Sequence, residues 1–186
     1  MELPQLETER LRVRPFTLAD RAACERLMQS LGDAGVRHEW LTWVVLNVDE
    51  LDQLHQPPYG DRALTLRANG EVVGIGGLVP SFGPFGTLPG FDVDPESAAA
   101  RRNTPEFGLY WALAPEHRGK GYATEAARAL IDYAFNTLNL RRIIATTEYT
   151  NEASMAVMRR LGMRIERNPN PEPFWFQIVG VLENTR

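Results

Sequence analysis

The pattern of apolar and polar positions along the chain changes its period several times, and each change predicts the start of a new element. Residues 10–15 alternate as in a half-buried strand. Thr17 then provides a helix-capping side chain, and Asp20 follows three positions later. A strand followed by a helix is therefore predicted first. A second helix is predicted over 39–54, where apolar residues recur at three- to four-residue spacing.

The middle of the chain predicts a hairpin and then a long segment without periodicity. Two strand-like runs within 62–80 are joined by Asn69 and Gly70, which together are the strongest short signal for an antiparallel hairpin. Residues 81–104 show no period, and about two dozen residues are too many for a passive connection in a compact domain. This segment is predicted to be either a lid over a substrate or an interface.

The last part of the chain predicts two strand–helix units and two closing strands. The predicted elements are, in order, a strand at 106–115, a helix at 121–138, a strand at 141–149, a helix at 152–162, and strands at 163–167 and 174–183. Because a helix crosses between the first two of these strands, they are expected to be parallel neighbours. The whole chain, 1–186, is predicted to be one α+β domain with a mixed, mostly antiparallel sheet of about seven strands and about four helices.

Composition and charge narrow the classes of partner. With 186 residues, 44% of them hydrophobic, the chain is large enough to bury a core and hold a pocket. The net charge is -4 and the basic residues are scattered, which argues against binding to a nucleic acid or to an anionic membrane. The start of the chain lacks a signal-peptide pattern, and no apolar run approaches the roughly 18 residues of a membrane span, so a cytoplasmic location is expected. The three histidines share no metal-ligand spacing, so no metal is expected.

The junction between the strand at 106–115 and the following helix carries the clearest candidate chemistry. Its sequence is APEHRGKGYATEA, and the start of a helix presents free backbone N–H groups and the positive end of the helix dipole. Gly119 and Gly121 allow these N–H groups to converge, while Arg118 and Lys120 add positive charge. The predicted ligand is a phosphate or pyrophosphate, and the alternative is a surface turn with solvated charges. A Walker loop is excluded because glycine follows Lys120 where Ser or Thr is required.

The sequence EFGLYWALAPEHRGKGYATEAARALIDYAF, followed by NEASMAVMRRLGM, closely resembles the GNAT-type N-acetyltransferases. Within that family it is similar to the RimJ/RimL-like, or ribosomal-protein N-terminal acetyltransferase-like, group, which acetylates protein N-termini and small amines. The element order resembles the family over nearly the whole chain, and the motifs resemble it over 106–163. The family's loop pattern Q/R-x-x-G-x-G/A falls on 116–121, with Glu116 departing at the first position. The resemblance implies a GNAT fold with splayed parallel central strands, and acetyl-CoA as co-substrate.

The resemblance also implies where acetyl-CoA lies. The backbone amides of 118–123 are expected to bind the pyrophosphate. Asn151 and Ser154, the family's Asn-x-x-Ser element, are expected beside the pantetheine arm and the thiol. The complete set of expected coenzyme A contacts is Trp111, Ala112, Leu113, Arg118, Gly119, Lys120, Gly121, Tyr122, Ala123, Thr124, Asn151 and Ser154.

Acyl transfer from a thioester needs a neutral amine, a donor to the developing oxyanion and a proton source for the leaving thiolate. The donor is expected to be a backbone N–H around 112–114, where the resemblance places the acetyl carbonyl. Ser154 matches the residue proposed as general acid in RimL-like enzymes; alternatively, it only packs against or hydrogen-bonds the cofactor. Tyr122 and Tyr149 are the other candidate acids.

A general base matters most for a strongly basic acceptor. At pH 7 an α-amine with a pKa of about 7.8 is neutral in about one molecule in seven, whereas a lysine-like amine with a pKa of about 10.4 is neutral in about one in 2,500. Glu106 and Glu148 are the candidate bases, and each is otherwise a solvated carboxylate at the end of a strand.

The acceptor groove is the part of the site that the sequence determines least. The resemblance assigns its walls to the first two helices and to the loops near the splayed strands, here 37–43 and 81–97. The aromatic residues of these segments are candidates for an acceptor lining or a homodimer contact, with a core position favoured for the two tryptophans. They are Trp40, Trp43, Phe82, Phe85 and Phe91. The expected function is N-acetyl transfer to a primary amine, either a protein N-terminus or a small molecule. The alternative is a non-catalytic acyl-CoA sensor or an interaction module on the same fold.

Overall fold

A computed structural model of the chain describes residues 4–31, 38–91 and 93–185. Within these residues it has eight strands and four α-helices. In chain order they are β1 (Leu6–Glu7), β2 (Leu11–Pro15), α1 (Arg21–Ser30), α2 (His38–Gln53), β3 (Gly60–Leu66), β4 (Val72–Gly83), β5 (Thr104–Leu113), α3 (Tyr122–Asn136), β6 (Arg142–Thr147), α4 (Glu152–Arg160), β7 (Arg164–Arg167) and β8 (Ile178–Glu183). Short 3-10 turns lie at Leu18–Asp20, Phe85–Thr87, Pro115–His117 and Phe174–Phe176. No helix in the described ranges is both long and apolar enough to span a membrane.

The strands form one mixed sheet in the order β1-β2-β3-β4-β5-β6-β8-β7. As predicted, β5 and β6 are parallel neighbours, and their ladder is a single pair, Gly108 with Ile144. The pairs β1–β2, β2–β3, β3–β4, β6–β8 and β7–β8 are antiparallel. The α+β fold class and the mixed, mostly antiparallel sheet with splayed parallel strands are therefore confirmed. There is one strand more than expected, because the two-residue β1 pairs with β2.

The chain divides into two compact units. The first contains Met1–Val79 and Tyr110–Leu138, and the second contains Pro80–Leu109 and Asn139–Arg186. Each unit has its own buried apolar cluster. That residues 1–186 form a single domain stays a prediction.

In the first unit, β3 has two differently covered faces. Ala63 of β3 and Ile75 of β4 pack with Leu41 of α2 in a cluster that also includes residues of α1. Because successive residues of a strand face opposite sides, Arg62 points to the other face, where its guanidinium lies over the ring of Tyr133 in α3, 4.7 Å from the centroid. One face is therefore covered by α1 and α2, and the other by α3.

In the second unit, residues of the predicted lid or interface segment belong to the core. Phe85 stacks on Phe91, with ring centroids 5.7 Å apart, and meets Phe176 edge-on at 5.3 Å. Both Phe85 and Phe91 are buried, so the interpretation of these two rings as acceptor lining or dimer contact is wrong. Sequence periodicity could not detect this core, because Phe85 lies in a 3-10 turn and Phe91 in a loop. Phe82 lies in the extended end of β4 and is exposed.

Two further local predictions need correction. Trp40 packs edge-on against Phe16 beside the core, but Trp43 is 57% exposed, so a core position for Trp43 is wrong. The buried stripe of α2 passes through Leu41 and Val44, and the helical period places Trp43 outside it. Phe174–Phe176 forms a 3-10 turn instead of the start of the last strand.

Candidate active site

The predicted phosphate loop connects β5 to α3 in the first unit. The chain leaves β5, makes the turn Pro115–His117 and enters α3 at Tyr122. Gly119 and Gly121 have φ angles of 73° and 83°, in the left-handed region that favours glycine. The first N–H groups of the 15-residue helix α3 have no acceptor within the helix and lie at its positive end. The loop therefore has the conformation and the donors that a phosphate group requires.

Arg10 fastens this loop to the start of β2. Its Nη1 donates to the backbone oxygen of Lys120 at 2.9 Å, and its Nε and Nη2 donate to Glu125 Oε2 at 2.7 and 2.6 Å. The guanidinium also lies over the ring of Tyr122, 4.7 Å from the centroid. Burial alone would raise the pKa of Glu125, but hydrogen bonds from Thr8 and Arg10 outweigh it and lower that pKa. Glu125 is thus held as an anion whose charge is compensated by Arg10.

The sequence analysis missed Arg10, because this contact joins residues 110 and 115 positions apart and no local pattern marks it.

The cationic side chains of the loop have different surroundings. Arg118 and Lys120 are both exposed, and Arg118 Nε donates to the backbone oxygen of Leu113 at 3.0 Å. His117 is buried beneath the loop, with Nε2 3.2 Å from Glu71 Oε1. Its Nδ1 has no hydrogen-bond partner in the described ranges. The N–H of Arg118 donates to Pro115 O at 3.2 Å and is therefore not free, which contradicts its place among the amides predicted to bind the pyrophosphate. The exposed positive charge lies beside the free N–H groups at the start of α3.

The end of β5 limits the choice of oxyanion donor. The N–H of Ala114 donates to Val73 O at 3.0 Å and is therefore not free, which contradicts its place among the predicted donors. Because N–H groups alternate between the two edges of a strand, Ala112 faces the same edge as Ala114. The N–H groups of Trp111 and Leu113 point to the opposite edge and become the candidate donors.

Asn151 and Ser154 lie together in the second unit, at the start of α4. Asn151 Oδ1 accepts a hydrogen bond from the backbone N–H of Ser154 at 3.0 Å, so Asn151 caps the helix. The Asn-x-x-Ser spacing is thus also an N-cap followed by the third helical residue. The Ser154 hydroxyl is half-buried and makes no hydrogen bond in the part of the chain that the structure describes.

The alternative acids and bases are mostly engaged elsewhere. The Tyr149 hydroxyl donates to the backbone oxygen of Asn168, and Arg167 lies 4.0 Å from the centroid of its ring. Tyr122 lies under Arg10, as described above. Glu148 is exposed.

Glu106 is bound to an arginine. Its two carboxylate oxygens accept from Arg142 Nε at 2.9 and 3.0 Å, and Nη2 approaches Oε1 at 2.8 Å. Arg142 also lies over the ring of Phe91, 4.4 Å from the centroid. Burial would lower the pKa of Arg142, but its bonds to Glu106 and then Glu183 outweigh burial and raise it. To accept a proton from an amine, Glu106 would have to give up this pair, so the geometry favours a structural role at the starts of β5 and β6.

One half-buried carboxyl group in the first unit was not singled out from the sequence. Asp61 of β3 accepts a hydrogen bond from the hydroxyl of Tyr110 of β5. Asp61 lies in a short run of ordinary strand residues, and its partner is 49 positions away, so no motif signals the pair. In the described ranges, no group of three or more His, Cys, Asp or Glu side chains could hold a metal ion.

Comparisons with known proteins agree with this geometry. A model of the family described as "Acetyltransferase (GNAT) domain" matches residues 10–164. The uncharacterized N-acetyltransferase YnaD of Bacillus subtilis (strain 168) is 47% identical over 64 residues, which are 34% of this chain and 36% of YnaD. The chain therefore aligns with only about a third of that relative's length.

Solved structures share the fold over nearly the whole chain. The acetyltransferase from Agrobacterium tumefaciens str. C58 is 26% identical, with a TM-score of 0.69 over 98% of this chain and 96% of that one. Mycobacterium smegmatis RimJ in complex with CoA-disulfide is 18% identical, with a TM-score of 0.64 over 97% of this chain and 86% of RimJ. At that identity the likeness to RimJ concerns the fold.

Proposed function

The chain belongs to the GNAT acetyltransferase family, and we propose that it moves an acetyl group from acetyl-CoA directly to a primary amine. The observation that carries this proposal is the loop between β5 and α3. Gly119 and Gly121 adopt left-handed angles there, and the first N–H groups of α3, which have no acceptor within the helix, follow two exposed cations. A pyrophosphate has the charge and the acceptor oxygens to match these donors.

The residues of the first unit fit coenzyme A as follows. The amides of 119–123 would hold the pyrophosphate, with the start of α3 at Thr124 completing the cradle. Arg118 and Lys120 would add charge at its rim. A Cβ on Gly119 would meet no atom within 4 Å, so the space beside this glycine is open to a ligand. The edge of β5 that carries the N–H groups of Trp111 and Leu113 would hold the pantetheine arm by backbone hydrogen bonds.

The chemistry requires three roles from this chain. The N–H groups of Trp111 and Leu113 are the proposed donors to the oxyanion that forms when the amine attacks the acetyl carbonyl. Ser154 is the proposed proton source for the leaving thiolate, and its unbonded hydroxyl supports this role over that of Tyr149. Asn151 is the proposed contact to the pantetheine arm, through the amide nitrogen that the cap leaves unused.

The basicity of the acceptor amine determines whether the protein must supply a general base. Protein N-terminal amines are neutral often enough at pH 7 to react with modest help, while alkyl amines such as those of polyamines need a base. Both classes are proposed acceptors.

The test is to add acetyl-CoA to the purified protein with N-terminal peptides, polyamines and aminoglycosides, and to measure free thiol. We expect acetyl-CoA to bind in calorimetry and at least one amine to release thiol. Binding without thiol release from any amine would indicate an acyl-CoA sensor. No binding at all would indicate an interaction module and would contradict the proposed site.

A further inference from the structure

Asp61 and Tyr110 form a hydrogen-bonded pair that spans an intervening strand. Asp61 lies on β3 and is in register with Gly77 of β4, while Gly76 of β4 lies against the backbone of Tyr110 on β5. A Cβ at Gly76 would stand 3.1 Å from the carbonyl oxygen of Tyr110. Gly77 has no side chain on the face that it shares with Asp61, so the carboxyl group can reach over β4 and accept the phenol's hydrogen bond.

The pair faces the side of the sheet that α1 and α2 cover. Ala63 follows Asp61 by two residues and therefore shares its face, and both Ala63 and Tyr110 belong to the cluster under these helices. This is the face to which the family resemblance assigns the acceptor groove. Tyr110 is also the residue directly before Trp111, whose N–H is a proposed oxyanion donor. The pair therefore lies next to the proposed reaction centre on the acceptor side.

The carboxyl group has no basic partner in the described ranges. Arg62, its neighbour in sequence, points to the opposite face and lies over Tyr133. The residue in register on β4 is Gly77, and β5 contributes Tyr110. From α2, the uncharged amide of Asn47 lies near the start of β3, where its Nδ2 would be 3.7 Å from a Cβ at Gly60.

The ionisation of both groups is shifted. Burial raises the pKa of Asp61, and the hydrogen bond from Tyr110 lowers it by less. Burial, and then the charge and hydrogen bond of Asp61, raise the pKa of Tyr110. A partly desolvated carboxylate without a cation is the kind of group that a cationic substrate can compensate.

We propose that Asp61 binds the ammonium group of the acceptor and takes its proton, with Tyr110 as the positioning residue that orients the carboxylate. This inference rests on the proposed acetyl transfer and assigns to Asp61 the role that the sequence analysis gave to Glu106 or Glu148. The charge of Glu106 is compensated by Arg142, and Glu148 is exposed to water, whereas Asp61 is half-buried and without a basic partner in the described part of the chain.

The proposed step conserves protons and electrons. The ammonium gives one proton to the Asp61 carboxylate, and the neutral amine forms a C–N bond to the acetyl carbon. The C–S bond then breaks, and sulfur leaves with the electron pair. The thiolate takes a proton from Ser154, the second proton shed by nitrogen restores the Ser154 hydroxyl, and Asp61 returns its proton to solvent. The products are one amide, one thiol and one released proton.

The experiment measures kcat/KM of the Asp61→Asn variant and of the wild-type protein with an alkyl amine acceptor. The pH runs from about 6 to about 9, which is below the pKa of such an amine, about 10.4. Asn has the volume of Asp, and its amide oxygen can still accept from Tyr110. The wild-type kcat/KM should be level over this range, because the enzyme accepts the proton. In the variant, kcat/KM should fall by about 10²–10⁴ at pH 7 and rise about tenfold per pH unit, following the neutral amine.

Two further variants separate a chemical role from a structural one. Asp49→Asn removes a carboxylate from an exposed position of α2 and should leave the level profile unchanged. Tyr110→Phe should keep the level profile at lower kcat. At low pH, kcat/KM falls as Asp61 becomes protonated. Tyr110→Phe should shift this fall to higher pH, because it removes the hydrogen bond that lowers the pKa of Asp61. Acetyl-CoA affinity, measured by calorimetry, should stay at the wild-type value in Asp61→Asn, which shows that the protein is folded.

The outcomes distinguish this inference from the proposed function. Suppose that the wild-type protein is active, but Asp61→Asn lowers kcat/KM by the same factor at every pH or leaves it unchanged. The proposed role of Asp61 is then wrong, and the proposed acetyl transfer is unaffected. If Glu106→Gln acquires the rising profile while Asp61→Asn stays level, Glu106 is the base. If wild-type protein releases no thiol with any amine, both the function and this inference fail.

Discussion

At Gly121, a single backbone angle determines whether the amides of the phosphate loop can converge. The residue caps α3 with a φ of 83°, and a side chain there is strained whatever space surrounds it. A Cβ would also stand 3.3 Å from Arg10 Nη2, the guanidinium that fastens the loop. The loop conformation and its anchor therefore depend on the same glycine.

We predict that Gly121→Val raises the dissociation constant of acetyl-CoA about tenfold or more, since each decade corresponds to only about 1.4 kcal/mol. The measurement is calorimetric titration with acetyl-CoA. Gly70→Val is the matched control, because Gly70 has a φ of 75° in the β3–β4 turn and a Cβ there would meet no atom within 4 Å. The control should lose stability but keep its affinity. Normal affinity in Gly121→Val would remove the loop from the pyrophosphate site.

Substitutions of Ser154 and Asn151 should have different effects. The Ser154 hydroxyl makes no hydrogen bond in the described residues, whereas the Asn151 side chain caps α4. Ser154→Ala should lower kcat by about 10²–10⁴ if the hydroxyl protonates the thiolate, with acetyl-CoA affinity nearly unchanged. Asn151→Ala should weaken acetyl-CoA binding and also lower the free energy of unfolding by about 1 kcal/mol through loss of the cap. Steady-state kinetics and urea unfolding separate the two. A loss of kcat smaller than about threefold in Ser154→Ala would make it a packing residue.

At the scale of elements, the entry into α1 is fixed by an ion pair as well as by the predicted cap. Asp20 accepts hydrogen bonds from Arg14 at 2.6 and 2.8 Å and from the N–H of Thr17 at 2.8 Å. Burial would raise the pKa of Asp20, but these hydrogen bonds, with that of Arg14 first, outweigh it and lower the pKa. The ionised carboxylate therefore ties the end of β2 to the start of the helical segment.

A lowered pKa in the folded state gives stability that is present above the unfolded pKa and is lost as pH falls through the folded value. Asp20→Asn should therefore lower the free energy of unfolding by about 1.5–3 kcal/mol at pH 7. The difference from wild type should shrink as the pH falls below about 4. Urea unfolding at several pH values measures this, with Asp49→Asn as the exposed control. A deficit that is equal at all pH values would contradict the ion-pair account.

The elements themselves were largely predictable, because their signals are local. Thr17 and Asp20 marked a helix start, Asn69 and Gly70 marked the hairpin, and the alternation at 10–15 marked β2. The core around Phe85 was missed, because it is built from a turn and a loop that have no period of their own. Periodicity identifies regular elements and cannot assign the burial of residues outside them.

At the scale of the whole molecule, the two predicted motifs lie in different compact units. The phosphate loop belongs to the first unit, and Asn151 and Ser154 belong to the second. Both motifs were recognisable from short sequence patterns. Two side-chain hydrogen bonds of the candidate site join residues that are far apart in sequence. Arg10 and Glu125 are 115 positions apart, and Asp61 and Tyr110 are 49 positions apart. They follow from strand order and register, which a single sequence does not specify.

The central claim, acetyl transfer to an amine, is tested most directly by measuring both products of one reaction. The wild-type protein is incubated with acetyl-CoA and an amine from the panel, and free thiol and acetylated amine are quantified together, by a thiol reagent and by mass spectrometry. The account predicts equal amounts of the two products, formed only when enzyme and amine are both present. Thiol released without acetylated amine, or acetyl-CoA bound with neither product formed, would contradict it.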